Sequence, residues 1–331
     1  MASIPRLPGP LLSRFGSAPS TPWFERPDPR AVLESNVAEL RRQLARTVHA
    51  SFAGDAPAPT ERRSRASDDG LFAPDSVTRR VHADVAMFIG GVRALLLQTM
   101  HPLAMAGVAE HSDYRHDALG RLARTGAFVG TTTYGSRDEA VAAVAMVKRV
   151  HRRVTGVAPD GRPYSANDPH LLTWVHHAEV DSFLAAYQRY GAEPLTAADA
   201  DGYVDEMADL CELFEAEPAA RSVAELRAYF VDIESEVRAT KQARDIARWI
   251  MVPPLPWRAR LAYGVIFPAA LGLLPAAVRR DLWLPLAPGI DPLVVQPAAR
   301  TFMRSFAWVM GGLEEDSTSD DVDGVPEVPA A

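Results

Sequence analysis

The sequence contains a single cysteine, Cys211, which excludes an internal disulfide and any multi-cysteine metal or iron–sulfur cage. A lone thiol is compatible with a reducing compartment, so the expected location is cytoplasmic. A basic face is also lacking. The formal charge of -7 is spread along the chain and includes Glu314, Glu315, Asp316, Asp320, Asp321 and Asp323 near the end. Phosphates therefore find no complementary surface, and nucleic acid is not an expected partner. Residues 1–21 hold no run of ~7 to 15 apolar residues of the kind that forms a signal-peptide core. Long apolar runs are scarce throughout. The longest uncharged stretch, Leu261 to Val278, is close to the ~18 residues of a membrane span but carries Pro268 and Pro275, two helix breakers. It is expected to be buried core or a groove lip, with no transmembrane segment. Peripheral membrane contact through Leu261–Leu274 and Trp283–Leu286 is the rival reading. Strand-favouring residues are sparse, aromatics amounting to 8%, whereas Ala, Leu, Arg, Glu and Asp dominate. The expected fold class is all-α, a single multi-helix domain.

Neither end of the chain shows apolar periodicity. Residues 1–28 are expected to form a disordered Pro-rich arm and 315–331 a disordered acidic tail, leaving 29–314 as the helical domain. Asp28-Pro29 caps a first helix. Ser76 caps a long one through Val77, Val81, Val85, Phe88, Ile89, Val92 and Leu96, ending at His101-Pro102 because the residue before proline is pushed out of the α region. A short helix through Ala104 and Val108 follows, then one over 119–133. Ser136 and Glu139 have capping-box spacing and start a helix that runs to Thr155. Asp168-Pro169 starts another, reaching Tyr190. Further helices are expected at 196–215, 222–236, 239–250, 256–273, 276–283 and 292–312. No segment alternates for long enough to form a sheet.

Seven of the nine histidines fall between 101 and 177: His101, His111, His116, His151, His170, His176 and His177. Histidine serves as metal ligand, acid, base and proton carrier near neutral pH, so the cluster invites a metal or cofactor hypothesis. His151 shares a helix face with Val144, Val147 and Val154 and should be buried. On spacing alone, a buried histidine satisfied by its surroundings is the commoner outcome than a ligand. Arg121, Arg124 and Thr125, at i, i+3 and i+4, stack two guanidinium groups and a hydroxyl on one helix face. Such a pair suits a carboxylate or propionate, and the alternative is an ordinary solvated face.

Competing metal chemistries can be tested on spacing. No histidine has glutamate three residues before it, as a di-iron bundle requires. His-Glu-x-x-His and Cys-x-x-Cys-His are both absent, which removes a zincin-type hydrolase and a covalently attached haem.

Five ordered blocks resemble the MpaB-like and latex-clearing-protein-like oxygenases. They are Leu97-Gln98-Thr99-Met100-His101-Pro102 with Gly107-Val108-Ala109-Glu110-His111-Ser112; Arg121-Leu122-Ala123-Arg124-Thr125; Val150-His151-Arg152-Arg153-Val154-Thr155-Gly156; Tyr164-Ser165-Ala166-Asn167-Asp168-Pro169; and Leu172-Thr173-Trp174-Val175-His176. The resemblance implies an all-α fold with a globin-like centre and non-covalent haem b held on one histidine, which by position is His151. It places Arg121, Arg124 and Thr125 on the distal or propionate side, with His101, His111 and His176 as further cofactor-site candidates. Arg124 stands where the latex-clearing proteins have lysine. Guanidinium is a poor iron ligand, so polyisoprene cleavage is not carried over. The expected activity is an oxidoreductase: a haem-dependent oxygenase acting with O2 or peroxide on a hydrophobic, unsaturated or lipid-like substrate. The alternative is a non-catalytic ligand-binding or haem-sensing protein. His116, His170 and His177 are expected at the surface or in caps.

Overall fold

The computed structural model describes residues 67–112, 117–285 and 289–310. The expected N-terminal arm, the helix after Asp28-Pro29, His116 and the acidic tail lie outside those residues. The described chain is all-α apart from one short hairpin. Its helices are α1 (Val77–His82), α2 (Met87–Gln98), α3 (Pro102–His111), α4 (Ala118–Tyr134), α5 (Arg137–His151), α6 (Pro169–Tyr190), α7 (Ala197–Leu213), α8 (Val223–Asp232), α9 (Lys241–Met251), α10 (Trp257–Leu273), α11 (Ala276–Asp281) and α12 (Gln296–Met310). Strands β1 (Thr155–Val157) and β2 (Pro163–Ser165) pair antiparallel between α5 and α6.

Polar side chains set the helix starts. Ser76 accepts the Arg79 amide, Ser136 and Glu139 exchange both bonds of a capping box, and Asp168 accepts the His170 and Leu171 amides ahead of Pro169. Three expectations need correction. The apolar run 77–101 is two helices, because Asp84 accepts the Ala86 amide at 2.7 Å and offers the backbone an alternative to the helical ladder. The helix expected to reach Thr155 stops at His151, and Thr155–Val157 turns into the hairpin. Gly156 permits this, since a Cβ there would sit 2.5 Å from the Tyr164 hydroxyl, and Gly161 takes φ +86° in the turn. Pro268, read as a breaker, lies inside α10. Losing one backbone bond is outweighed by burial of Ala269 and Ala270, both 0% exposed. Among the described residues no helix is long and apolar enough to cross a membrane.

The fold is organised around α6, whose 22 residues span roughly 33 Å at 1.5 Å per residue. Its faces enter every apolar cluster. Trp174 and Ala178 pack with Leu96, Ile246 and Leu271; Val180, Phe183 and Leu184 with Val81, Val144 and Tyr203; Ala186 and Tyr190 with Ile89 and Met303; Leu171 with Ala106 and Tyr164. α2 lies closest against it. Arg93 of α2 is buried at that contact, paired to Asp181 at 2.7 Å and donating to the Ser182 hydroxyl and the Leu273 carbonyl. Because α6 enters all four clusters, polar residues along it stand against apolar surroundings, and besides Asp181 and Ser182 it carries His170, His176, His177 and Glu179.

Candidate functional site

α4 and α5 form an antiparallel hairpin joined at Gly135-Ser136, so Arg121, 14 residues before Gly135, and His151, 15 residues after Ser136, belong to the ends away from the turn. Val144, one face with Val147 and His151, is 2% exposed against Val180 and Phe183. This face brings His151 inward as its spacing demands. The ring is partly buried, and burial lowers its pKa against a hydrogen bond with the Ala166 backbone. Nδ1 is buried with no hydrogen-bond partner. A buried ring nitrogen with no partner is free to bind a metal. The residues present thus fit a haem held through His151.

The other expected site residues are distributed more widely. Arg121 is partly buried and donates to the Ser112 hydroxyl at 2.6 Å; burial and the neighbouring Arg124 lower its pKa. Arg124 is exposed and paired to Asp117 at 2.9 Å, and Thr125 is exposed beside it. His111 bridges the Thr155 carbonyl at 3.2 Å and the Tyr164 hydroxyl at 3.1 Å. That hydroxyl donates to Glu110, and burial together with Glu110 pushes Tyr164 up to about 12. His111 therefore fastens the hairpin to α3. Among the described residues no hydrogen bond or ring contact joins His101, His111 or His176 to His151.

Two polar groupings escaped the sequence reading. The first is internal. His176 and Glu179, one turn apart on α6, have no hydrogen-bond partner among the described residues. Burial pushes His176 down to about 3, with His177 adding to the shift, and pushes Glu179 up to about 7. Each nonetheless keeps part of its surface uncovered. Nearby, His82 joins the Thr133 hydroxyl at 2.8 Å and the Tyr203 hydroxyl at 3.2 Å, and burial brings it to about 3. Burial raises the pKa of Tyr203 well above its usual value, with the carboxylates of Glu179 and Glu206 adding to the shift.

The second grouping gathers His101, His170, Glu217 and Glu236. His101 caps α3 through Nδ1, which accepts the Ala104 amide at 3.5 Å, and is 1% exposed. Desolvation takes it to about 4 despite Glu236. His170, in the first turn of α6, joins Glu217 through Nδ1 and Glu236 through Nε2, both at 3.0 Å. Burial alone would lower His170; the two carboxylates outweigh it and leave the imidazole above its usual range. His177, expected at the surface, is instead 1% exposed: its Nε2 accepts the Ala220 amide at 2.9 Å and its ring packs on Tyr229 with centroids 4.1 Å apart. The loop carrying Glu217 and Ala220 wraps the start of α6, and this explains the burial of His177. No sequence spacing announces partners more than 40 residues away.

Comparison with curated proteins and with solved structures finds no match. A family model described as "ER-bound oxygenase mpaB/B'/Rubber oxygenase, catalytic domain" matches residues 79–310, which include α2 to α12 and every candidate site residue named above. The chain belongs to the mpaB/rubber oxygenase catalytic-domain family.

Proposed function

We propose that this oxygenase-family chain works with non-covalent haem b, held through His151, on a hydrophobic, unsaturated or lipid-like substrate. The observation that carries the reading is the buried, unpartnered Nδ1 of His151. When bound, haem supplies the activation of O2 or peroxide. The protein does the rest. Val144, in one apolar cluster with Val180 and Phe183 of α6, holds the helix face that carries His151. Arg121 and Arg124 supply positive charge that would pair with a haem propionate, with the Thr125 hydroxyl beside them as a donor.

The same reading takes 29–314 as the oxygenase domain, with residues 1–28 and 315–331 as its arm and tail. It also places the protein in the cytoplasm, where the buried thiol of Cys211 stays reduced. Oxygen uptake by haem-loaded protein, assayed across unsaturated terpenoid and lipid substrates, tests the function. Substrate-dependent uptake is expected. Stoichiometric haem without uptake on any of them would move the protein to a binding or sensing role.

A further inference from the structure

We infer that His101, His170 and Glu236 form a binding site for a divalent first-row transition cation, separate from His151 and oriented by Glu217. The ligand atoms of the three residues all lie within 4.8 Å of one another. Glu236 Oε2 is 3.0 Å from His170 Nε2 and 3.9 Å from His101 Nε2. Donors about 2.0–2.1 Å from a shared ion stand roughly 3.0–3.5 Å apart in octahedral or tetrahedral geometry. One pair is therefore already at that spacing, and the His101–Glu236 pair closes through the half-exposed end of Glu236, whose side chain is 43% exposed. Two imidazoles and one carboxylate on a single side leave further positions for water or an exogenous ligand, a donor set suited to iron(II), cobalt(II) or zinc(II).

Two independent features mark this as more than an ion-paired surface histidine. His101 Nε2 is buried, on a side chain 1% exposed, and has no hydrogen-bond partner. Its distance from Glu236 is too long for a hydrogen bond, so the nitrogen faces the cluster unspent. His170 also presents the arrangement common to metal-ligating histidines, in which the ring nitrogen away from the ion donates to a carboxylate, here Glu217 at 3.0 Å. The backbone supports the geometry. The Arg238 amide donates to the Met100 carbonyl at 2.8 Å, tying the segment after Glu236 beside His101, and Trp174 packs on His101 while donating to the Gln98 carbonyl. Binding moves the His101 ring proton from Nε2 to Nδ1 and gives up the 3.5 Å cap to Ala104, a bond at the limit of length. Pro102 continues to fix the start of α3.

Cobalt(II) is the probe, because its visible d–d absorption reports nitrogen and carboxylate ligation directly. Titration of the full chain, followed by zinc(II) displacement, is expected to show one site. His170→Gln and Glu236→Gln should weaken cobalt at least 100-fold. Glu217→Gln, which removes only the orienting partner, should weaken it by about 10- to 100-fold. His151→Ala should leave it unchanged. Glu236→Gln keeps size and alters a half-exposed group, so unchanged circular dichroism shows that lost binding is not lost folding. Absence of a d–d band in the wild type, or a band equally strong in His170→Gln and Glu236→Gln, overturns the proposal. Loss of cobalt binding on His151→Ala would overturn the separateness of the two sites.

Discussion

Replacing Glu179 with glutamine probes the interior of the fold through its dependence on pH. Burial raises the Glu179 carboxyl from 4.5 to about 7. In the native state it therefore holds a proton that the unfolded chain has released between those two values. The stabilising effect of that bound proton is complete below about pH 4.5 and is lost as pH rises through about 7. At 1.36 kcal/mol per pH unit, the 2.5 units between the two values set an upper bound of about 3 kcal/mol, reduced by whatever water reaches the uncovered part of the side chain. Most of it develops between pH 5 and 8. Glutamine keeps the shape without the charge. Urea unfolding of wild type and Glu179→Gln is the assay, because comparing the two cancels the opposing titration of His82, His176 and His177, which is common to both. The variant should gain on the wild type steadily from pH 5 to pH 8, by up to about 2.5 kcal/mol. A difference that does not change with pH, or that favours the wild type at pH 8, would show that Glu179 ionises as freely in the fold as in the unfolded chain.

Further outcomes follow from particular contacts. Gly90→Ala puts a Cβ 2.7 Å from Phe183 Cδ1 and 3.1 Å from its Cα, so separating α2 from α6 should cost about 1–3 kcal/mol, read as a lower urea midpoint. His177→Phe leaves the Ala220 amide buried and unpaired and should cost about 1–3 kcal/mol, with faster amide exchange at Ala220 as the local signature. Arg93→Met strands Asp181 beside the core and should cost about 3 kcal/mol, whereas exchanging Arg124 for glutamine, exposed at its pair with Asp117, should change stability by less than about 1 kcal/mol. Thermal melts of these two variants check the contrast.

Much of the architecture was legible because it depends on local chemistry. Ser76, Ser136, Asp168 and Pro169 mark helix starts that side-chain capping dictates, and the Val144, Val147, His151 spacing pointed that face inward. The hairpin at 155–165 was not legible. Three-residue strands are too short to alternate, and this pair exists because Tyr164 can pack over Gly156 and anchor to His111 and Glu110. The break in the run 77–101 turned on one aspartate whose side chain outcompeted the helix. For the site, the sequence located the histidines but not their company. His170 meets Glu217 and Glu236 only because the loop after α7 and the turn after α8 return to the start of α6. His177 became core for the same reason, its acceptor nitrogen being taken by an amide 43 residues away.

The central claim is that His151 holds haem b, and the reduced, carbon-monoxide-bound absorption spectrum of haem-supplemented protein tests it most directly. Wild type should show a Soret band typical of histidine-ligated haem with one haem per chain. His151→Gly should lose it and recover it when imidazole is supplied to the vacated position. An identical spectrum and haem content in wild type and His151→Gly without imidazole would contradict the account.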